Sequence, residues 1–184
     1  MENVSVEAMQ ASSDEELIRI RKEKIVEYFK KNYSIIIYVL LALIVFISFS
    51  IRTSNLEGLK DITTGEWTLG PDLDPFLFLR MAKDIVAQGH LNEPDMLRYA
   101  PLGFYQSNEY LLLPYMMAWF HKVAVMFGSD SVTHSAILFP AVMFCFTVVA
   151  FFFMAREIFV DISGKKKASI IATVSSFFLA VMPP

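Results

Sequence analysis

Three long stretches of this chain carry no charged residue: Asn32 to Ile51, Ser131 to Ala155 and Ala168 to Pro184. A hydrocarbon core about 30 Å thick takes roughly 20 apolar residues of helix to cross. The first two stretches meet that length, and the third reaches Pro184 just short of it. A soluble core helix rarely stays uncharged over so many turns, because one of its faces meets water. The pattern predicts an all-α integral membrane protein with transmembrane helices at 34–51, 132–157 and 168–184. A long external loop over 52–131 and a short connection over 158–167 join them, and residues 1–33 form a tail.

Two shorter patterns lie outside these spans. Tyr110 to Phe120 is uncharged and aromatic, and continues past His121 and Lys122 to Phe127. It is too short to cross, so it is expected as a helix along the outer membrane face, with Pro114, Trp119 and Lys122 near the headgroups. In the tail, Ser13 followed by Glu16 matches a capping box. The amphipathic helix expected after it carries Leu17, Ile18, Ile25, Val26 and Phe29 near one stripe, suited to a membrane surface or to packing on the protein itself.

The distribution of lysine and arginine sets the orientation. Arg19, Arg21, Lys22, Lys24, Lys30 and Lys31 precede the first span, and Lys165 to Lys167 lie between the second and third. Both groups belong on the cytoplasmic side by the positive-inside rule. The loop 52–131, where acidic residues outnumber basic ones, is then extracellular in a multi-pass cell-membrane protein. The tail is too polar for a cleaved signal peptide, so the first span stays as an anchor. The net charge of -3 adds little, and the single Cys145 excludes an intramolecular disulfide.

Candidate chemistry concentrates early in the external loop. Asp74-Pro75 followed by Phe76 to Val86 reads as a helix with Asp74 at the N-cap and Pro75 at N1, ended by Gly89. Asp72 adds a second carboxylate two residues earlier, at the mouth of a site near the bilayer surface. Carboxylate oxygens suit hard divalent cations such as Mg²⁺ or Mn²⁺, which leave positions open for a substrate phosphate. Two carboxylates do not complete such a shell. Arg80 is placed to bind a carboxylate or a phosphate, with Asp84 on the same helix face as its expected structural partner. His90 after this helix reads as a solvated loop histidine, His121 as interfacial, and His134 as lying at the wet end of the second span.

The segment from Glu66 to Tyr105 resembles the first external loop of the oligosaccharyltransferase catalytic subunits, and is most similar to the archaeal AglB branch. Asp72-Leu73-Asp74-Pro75-Phe76-Leu77-Phe78-Leu79-Arg80 resembles that family's acidic-X-Asp-Pro-aromatic stretch ending in Arg. Tyr99-Ala100-Pro101-Leu102-Gly103 resembles its Tyr-Pro-Leu-Gly segment with one extra residue. Phe139-Pro140-Ala141, Ala155-Arg156-Glu157-Ile158-Phe159 and Ala180-Val181-Met182-Pro183-Pro184 are similar to parts of its second and third spans, in the same order.

The resemblance implies the N-terminal part of a GT-C type glycosyltransferase helical bundle. Its members move an oligosaccharide from a polyisoprenyl phosphate or pyrophosphate, of the dolichol type, to Asn in Asn-X-Ser/Thr of an acceptor polypeptide. It implies a catalytic and metal-binding role for Asp74, a weaker metal role for Asp72, and donor-phosphate binding by Arg80. The expected partners are the lipid-linked donor, the acceptor polypeptide, membrane lipid and the remaining part of the enzyme; nucleic acid is not among them. The family's second acidic motif and acceptor-recognition region fall outside this sequence, so the chain is expected to be inactive alone, as a truncated or split enzyme. Two other readings share the pattern: a different polyprenyl-phosphate-dependent transferase acting on Ser or Thr hydroxyls, and a non-catalytic membrane scaffold.

Overall fold

The computed structural model describes residues 16, 18–24, 27–28, 31–105 and 111–182. Ser13 of the expected capping box, Leu17, Ile25, Val26 and Phe29 of the tail stripe, Tyr110 and Pro183-Pro184 lie outside them. The described residues of the tail between 16 and 24 are helical.

Four helices carry the rest: α1 (Tyr33–Thr53), α2 (Asp74–Gln88), α3 (Leu112–Met126) and α4 (Val132–Val181). A 3₁₀ turn, Leu56–Leu59, follows α1. Among the described residues there is no strand, only isolated bridges between Lys60 and Trp67 and between Asp95 and Phe104. Two helical stretches, Tyr33–Leu59 and Val132–Val181, are long and apolar enough to cross a bilayer. Only 22% of each apolar window is buried within the protein, so most of its hydrocarbon surface faces outward. A helix satisfies its own backbone groups, which is what a segment in lipid requires.

The 50 residues of α4 are not one continuous rod. Gly164 adopts φ 73 and ψ 157, outside helical geometry, so two helical arms meet there. A side chain at that φ would push its Cβ against the following carbonyl, and glycine removes the conflict. Gly164 lies inside the connection expected over 158–167, immediately before Lys165 to Lys167.

The chain divides into two compact units. The first holds the start of α1, through Ile44, and residues Phe151–Leu179 of α4. Its interior is built from Ile37, Leu41, Phe152, Ala155, Ala168 and Ala172. The small alanines let helix backbones approach closely, which favours association where water supplies no driving force. Tyr38 meets Phe152 edge-on with ring centroids 6.5 Å apart, and the Tyr33 hydroxyl donates to the Lys166 carbonyl.

The second unit holds Val45–Ala150 and the residues from Ala180 on. Here α2 packs against α3, burying Leu79, Ala82 and Met117 with Ala136 and Phe139 of α4. A neighbouring cluster joins Met81, Ile85, Leu91 and Ala118. The α3 residues Trp119, Val123 and Met126 remain exposed opposite this contact. At the end of α1, Arg52 sits 3.4 Å above the Phe144 ring and donates through Nη1 to the Ala180 carbonyl at 3.0 Å and the Ser48 hydroxyl at 3.3 Å. A cation near a span needs such partners, because desolvating it alone is costly.

The start of α2 corrects one expectation. Asp74 is the first helical residue rather than the cap, and Leu73 occupies the N-cap in a helical conformation with φ -78 and ψ -35. Because the helical bend begins one residue early, the Asp74 side chain makes no capping bond, and Pro75 follows at the second position. The other end forms as expected: Gly89 turns left-handed at φ 85, and its N–H closes on the Ile85 carbonyl at 2.8 Å.

Candidate acidic site beside an apolar groove

Asp72 and Asp74 are both exposed, and among the described residues neither makes a side-chain hydrogen bond or ion pair. Asp74 stands at the rim of a groove of about 560 Å³ whose other walls include Leu69, Phe78, Met117, Phe139 and Pro140. The first turns of α2 contribute Asp74, Pro75 and Phe78, α3 contributes Leu113 and Met117, and α4 contributes Ala136, Ile137, Phe139 and Pro140. Asp74, without a capping bond, is exposed and lines the groove.

A divalent cation would find hard oxygen donors in Asp72 and Asp74. Among the described residues, however, no three His, Cys, Asp or Glu side chains converge as a metal-binding group. The pair fits a cation that keeps most of its shell for water or substrate phosphate, as Mg²⁺ does, and does not fit a cation held wholly by this chain.

Arg80 is engaged elsewhere than expected. Its guanidinium grips Asp95 in a bidentate pair, with Nη1 to Oδ1 at 3.0 Å and Nη2 donating to Oδ2. Asp84, the partner expected from helix spacing, adds only a longer-range attraction. The reason is geometric: residues 95–104 fold back on α2, and Asp95 exchanges both backbone hydrogen bonds with Phe104, which fixes its carboxylate opposite Arg80. The hydrogen bond from Arg80 holds the Asp95 carboxyl below its ordinary pKa against the opposing effect of burial, while the same bond raises that of Arg80. An anionic substrate would have to displace Asp95 to use this fork.

Gly103 closes the same loop. At φ 74, a Cβ built there would lie 2.8 Å from Pro94 Cβ and 2.9 Å from Met96 Sδ. The glycine of the Tyr99 to Gly103 segment is thus required by close approach as well as by its dihedral.

A second cluster was not expected from the sequence. The Trp67 indole stacks on His134 with centroids 4.5 Å apart and planes 8° from parallel. Its Nε1–H donates to Asp130 at 3.3 Å, and His134 Nδ1 lies 3.4 Å from the other Asp130 oxygen. Burial works to raise the Asp130 pKa, but the Trp67 hydrogen bond and the other groups around it prevail and leave it lowered. His121 Nδ1 meets the Ser135 hydroxyl at 2.8 Å, and Ser135 in turn meets Ser129 at 2.8 Å. His90 is exposed, with Nδ1 only 3.1 Å from the Leu91 carbonyl.

Fold and site together define a helical membrane protein in which an exposed acidic residue, Asp74, lines an apolar groove two residues after exposed Asp72, in the segment that joins the two apolar helices of the described residues. The chain belongs to the oligosaccharyl transferase STT3 family: the model of that family's N-terminal part matches residues 35–181. The match takes in α1 to α4, the acidic pair and the Arg80–Asp95 loop. No curated protein and no solved structure matches the chain.

Proposed function

We propose that this chain supplies part of the catalytic site of an oligosaccharyltransferase. In this reading it is the N-terminal portion of a GT-C bundle with three spans, the two arms of α4 counting as separate crossings. Residues 52–131 face the outside, and α3 lies along the outer membrane face. The observation that carries the reading is the unpaired Asp74 in the lining of an apolar groove, two residues after exposed Asp72, in a chain of this family.

The donor is a glycan on a polyisoprenyl phosphate or pyrophosphate, and the acceptor is Asn in Asn-X-Ser/Thr. The Asn amide nitrogen forms a bond to the anomeric carbon as the bond from that carbon to the phosphate oxygen breaks. One amide proton passes from the nitrogen to solvent water, and the electron pair of the broken bond departs with the phosphate. The nitrogen is a weak nucleophile because its lone pair is delocalised into the carbonyl. Asp74, accepting a hydrogen bond from the amide N–H, holds that nitrogen toward the sugar and favours localisation of the lone pair. Asp72 and Asp74 would hold Mg²⁺ or Mn²⁺, which when bound there offsets charge on the departing phosphate.

The test is transfer by the complete enzyme from its native lipid-linked oligosaccharide to an Asn-X-Thr peptide. Chelation with EDTA abolishes glycopeptide formation, and Mn²⁺ or Mg²⁺ restores it. Full transfer after exhaustive chelation would remove the metal from this reading, and transfer to a Gln-X-Thr or Ala-X-Thr peptide would remove the Asn acceptor.

A further inference from the structure

A second cleft of about 560 Å³, with mixed polar and apolar walls, is lined by Lys60, Glu66, Trp67, Lys83, Asp130 and Thr133. We infer that this cleft takes a saccharide unit of the donor glycan beyond the sugar that reacts, an assignment that rests on the function proposed above.

The first argument is the mixture of groups. Sugar hydroxyls both donate and accept, so a saccharide site needs ammonium or hydroxyl donors alongside carboxylate acceptors, whereas a phosphate site needs donors alone. Here the lining holds two ammonium groups, two carboxylates and the hydroxyls of Ser131 and Thr133. Among the described residues Lys83 and Glu66 make no side-chain hydrogen bond or ion pair, so a donor and an acceptor are both available. Lys60 is partly engaged by Glu57 at 3.0 Å.

The second argument is rigidity. Trp67 is held between His134 on one face and the Lys60 ammonium, 4.5 Å from the ring centroid, on the other. Its N–H fixes Asp130. These walls are set before any ligand arrives, which lowers the ordering cost of binding. Both faces of the indole are covered, so recognition proceeds through hydrogen bonds at the rim rather than by stacking a sugar on the ring.

The third argument is reach. The groove and the cleft draw different residues from the same three elements: the segment around residues 59–70, helix α2, and the start of α4. Lys83 follows Asp74 by nine positions on α2, two and a half turns, so it lies about 13 Å further along the axis and on the opposite side of the helix. A ligand reacting at Asp74 and touching Lys83 must be oligomeric. An oligosaccharide meets that requirement and a single sugar does not.

The experiment uses this chain in lipid nanodiscs with Trp119→Phe, leaving Trp67 as its only indole. The probe is the free oligosaccharide released from the cell's own lipid-linked pool, without lipid or phosphate. The expected result is a saturable change in Trp67 emission that Lys83→Ala and Glu66→Gln each weaken about tenfold, the worth of one charged hydrogen bond. Both residues are exposed, so neither change threatens the fold. No response to the glycan, a response that survives both substitutions, or an equal response to inorganic phosphate overturns the inference. A parallel assay in the complete transferase separates the two ideas. If transfer depends on Asp74 but is indifferent to Lys83 and Glu66 at limiting donor, the saccharide subsite falls and the function stands. If the glycan binds through Lys83 while Asp74→Asn transfers normally, the function falls and the subsite stands.

Discussion

The pair Arg80–Asp95 shows how one residue's chemistry is decided by a loop that helix periodicity does not see. Asp95 is 5% exposed, so its charge persists only because Arg80 and the Leu97 N–H, at 3.1 Å from Oδ1, accompany it. Arg80→Ala leaves that carboxylate buried without its cation and is expected to cost about 3 kcal/mol. Arg80→Lys keeps the charge without the fork and recovers only part of the loss. Thermal unfolding in detergent, with amide exchange at Asp95 and Phe104 as the local readout, measures both. The pH dependence has a definite sign. The folded pKa of Asp95 is lowered, so the pair's contribution is complete above the unfolded carboxylate value of about 3.9 and is lost as pH falls through the lower folded value. The wild type therefore holds its stability through neutral pH and loses it in acid, whereas Asp95→Asn loses that acid limb. Spacing on a helix surface suggested Asp84 because i and i+4 lie on one face. Asp95 is fifteen positions away, and only the folded loop brings it in.

At the scale of elements, helix α2 was legible in both its period and its end, because Gly89 has a mechanical reason to be there. Its start was not, since Leu73 takes up helical dihedrals that no side-chain signal announces. The consequence is chemical: an Asp that does not cap has oxygens to offer a ligand. The loop from Leu91 to Tyr105 is held by its own devices, and Gly103 is the tightest of them. Gly103→Ala meets both a positive φ and a Cβ 2.8 Å from Pro94, so it should cost about 2 kcal/mol or more by the sterics of a left-handed residue. That loss appears as faster amide exchange at Asp95 and Phe104, with α1 undisturbed. Unchanged exchange would show that the loop relaxes without strain. The Trp67–His134–Asp130 cluster was not anticipated from the sequence, because Trp67 lies 63 residues from Asp130 and none of the three belongs to a recognisable motif.

For the whole molecule, hydropathy alone picked out the apolar helices, since the property that marks them is local and needs no partner. Their number of crossings is a different matter, because a single glycine at 164 joins the arms of α4 where a polar connection was expected. In the orientation proposed from the charge rule, Asp72 lies outside and Lys166 inside. With Cys145→Ala removing the only native thiol, a membrane-impermeant maleimide applied to intact cells should label Asp72→Cys and spare Lys166→Cys until the membrane is opened. The reverse pattern would invert the orientation and put the acidic pair on the wrong side for an external donor.

Asp74 is the residue on which the functional account depends, and glycan transfer to an Asn-X-Thr peptide by the complete enzyme carrying Asp74→Asn tests it most directly. The account predicts a loss of about 10²-fold or more, the scale seen when a group acting on transition-state charge is removed, with unchanged expression and fold. Asp72→Asn is expected to lose less. Transfer by Asp74→Asn at the wild-type rate would contradict the assignment of this acidic pair as the catalytic site.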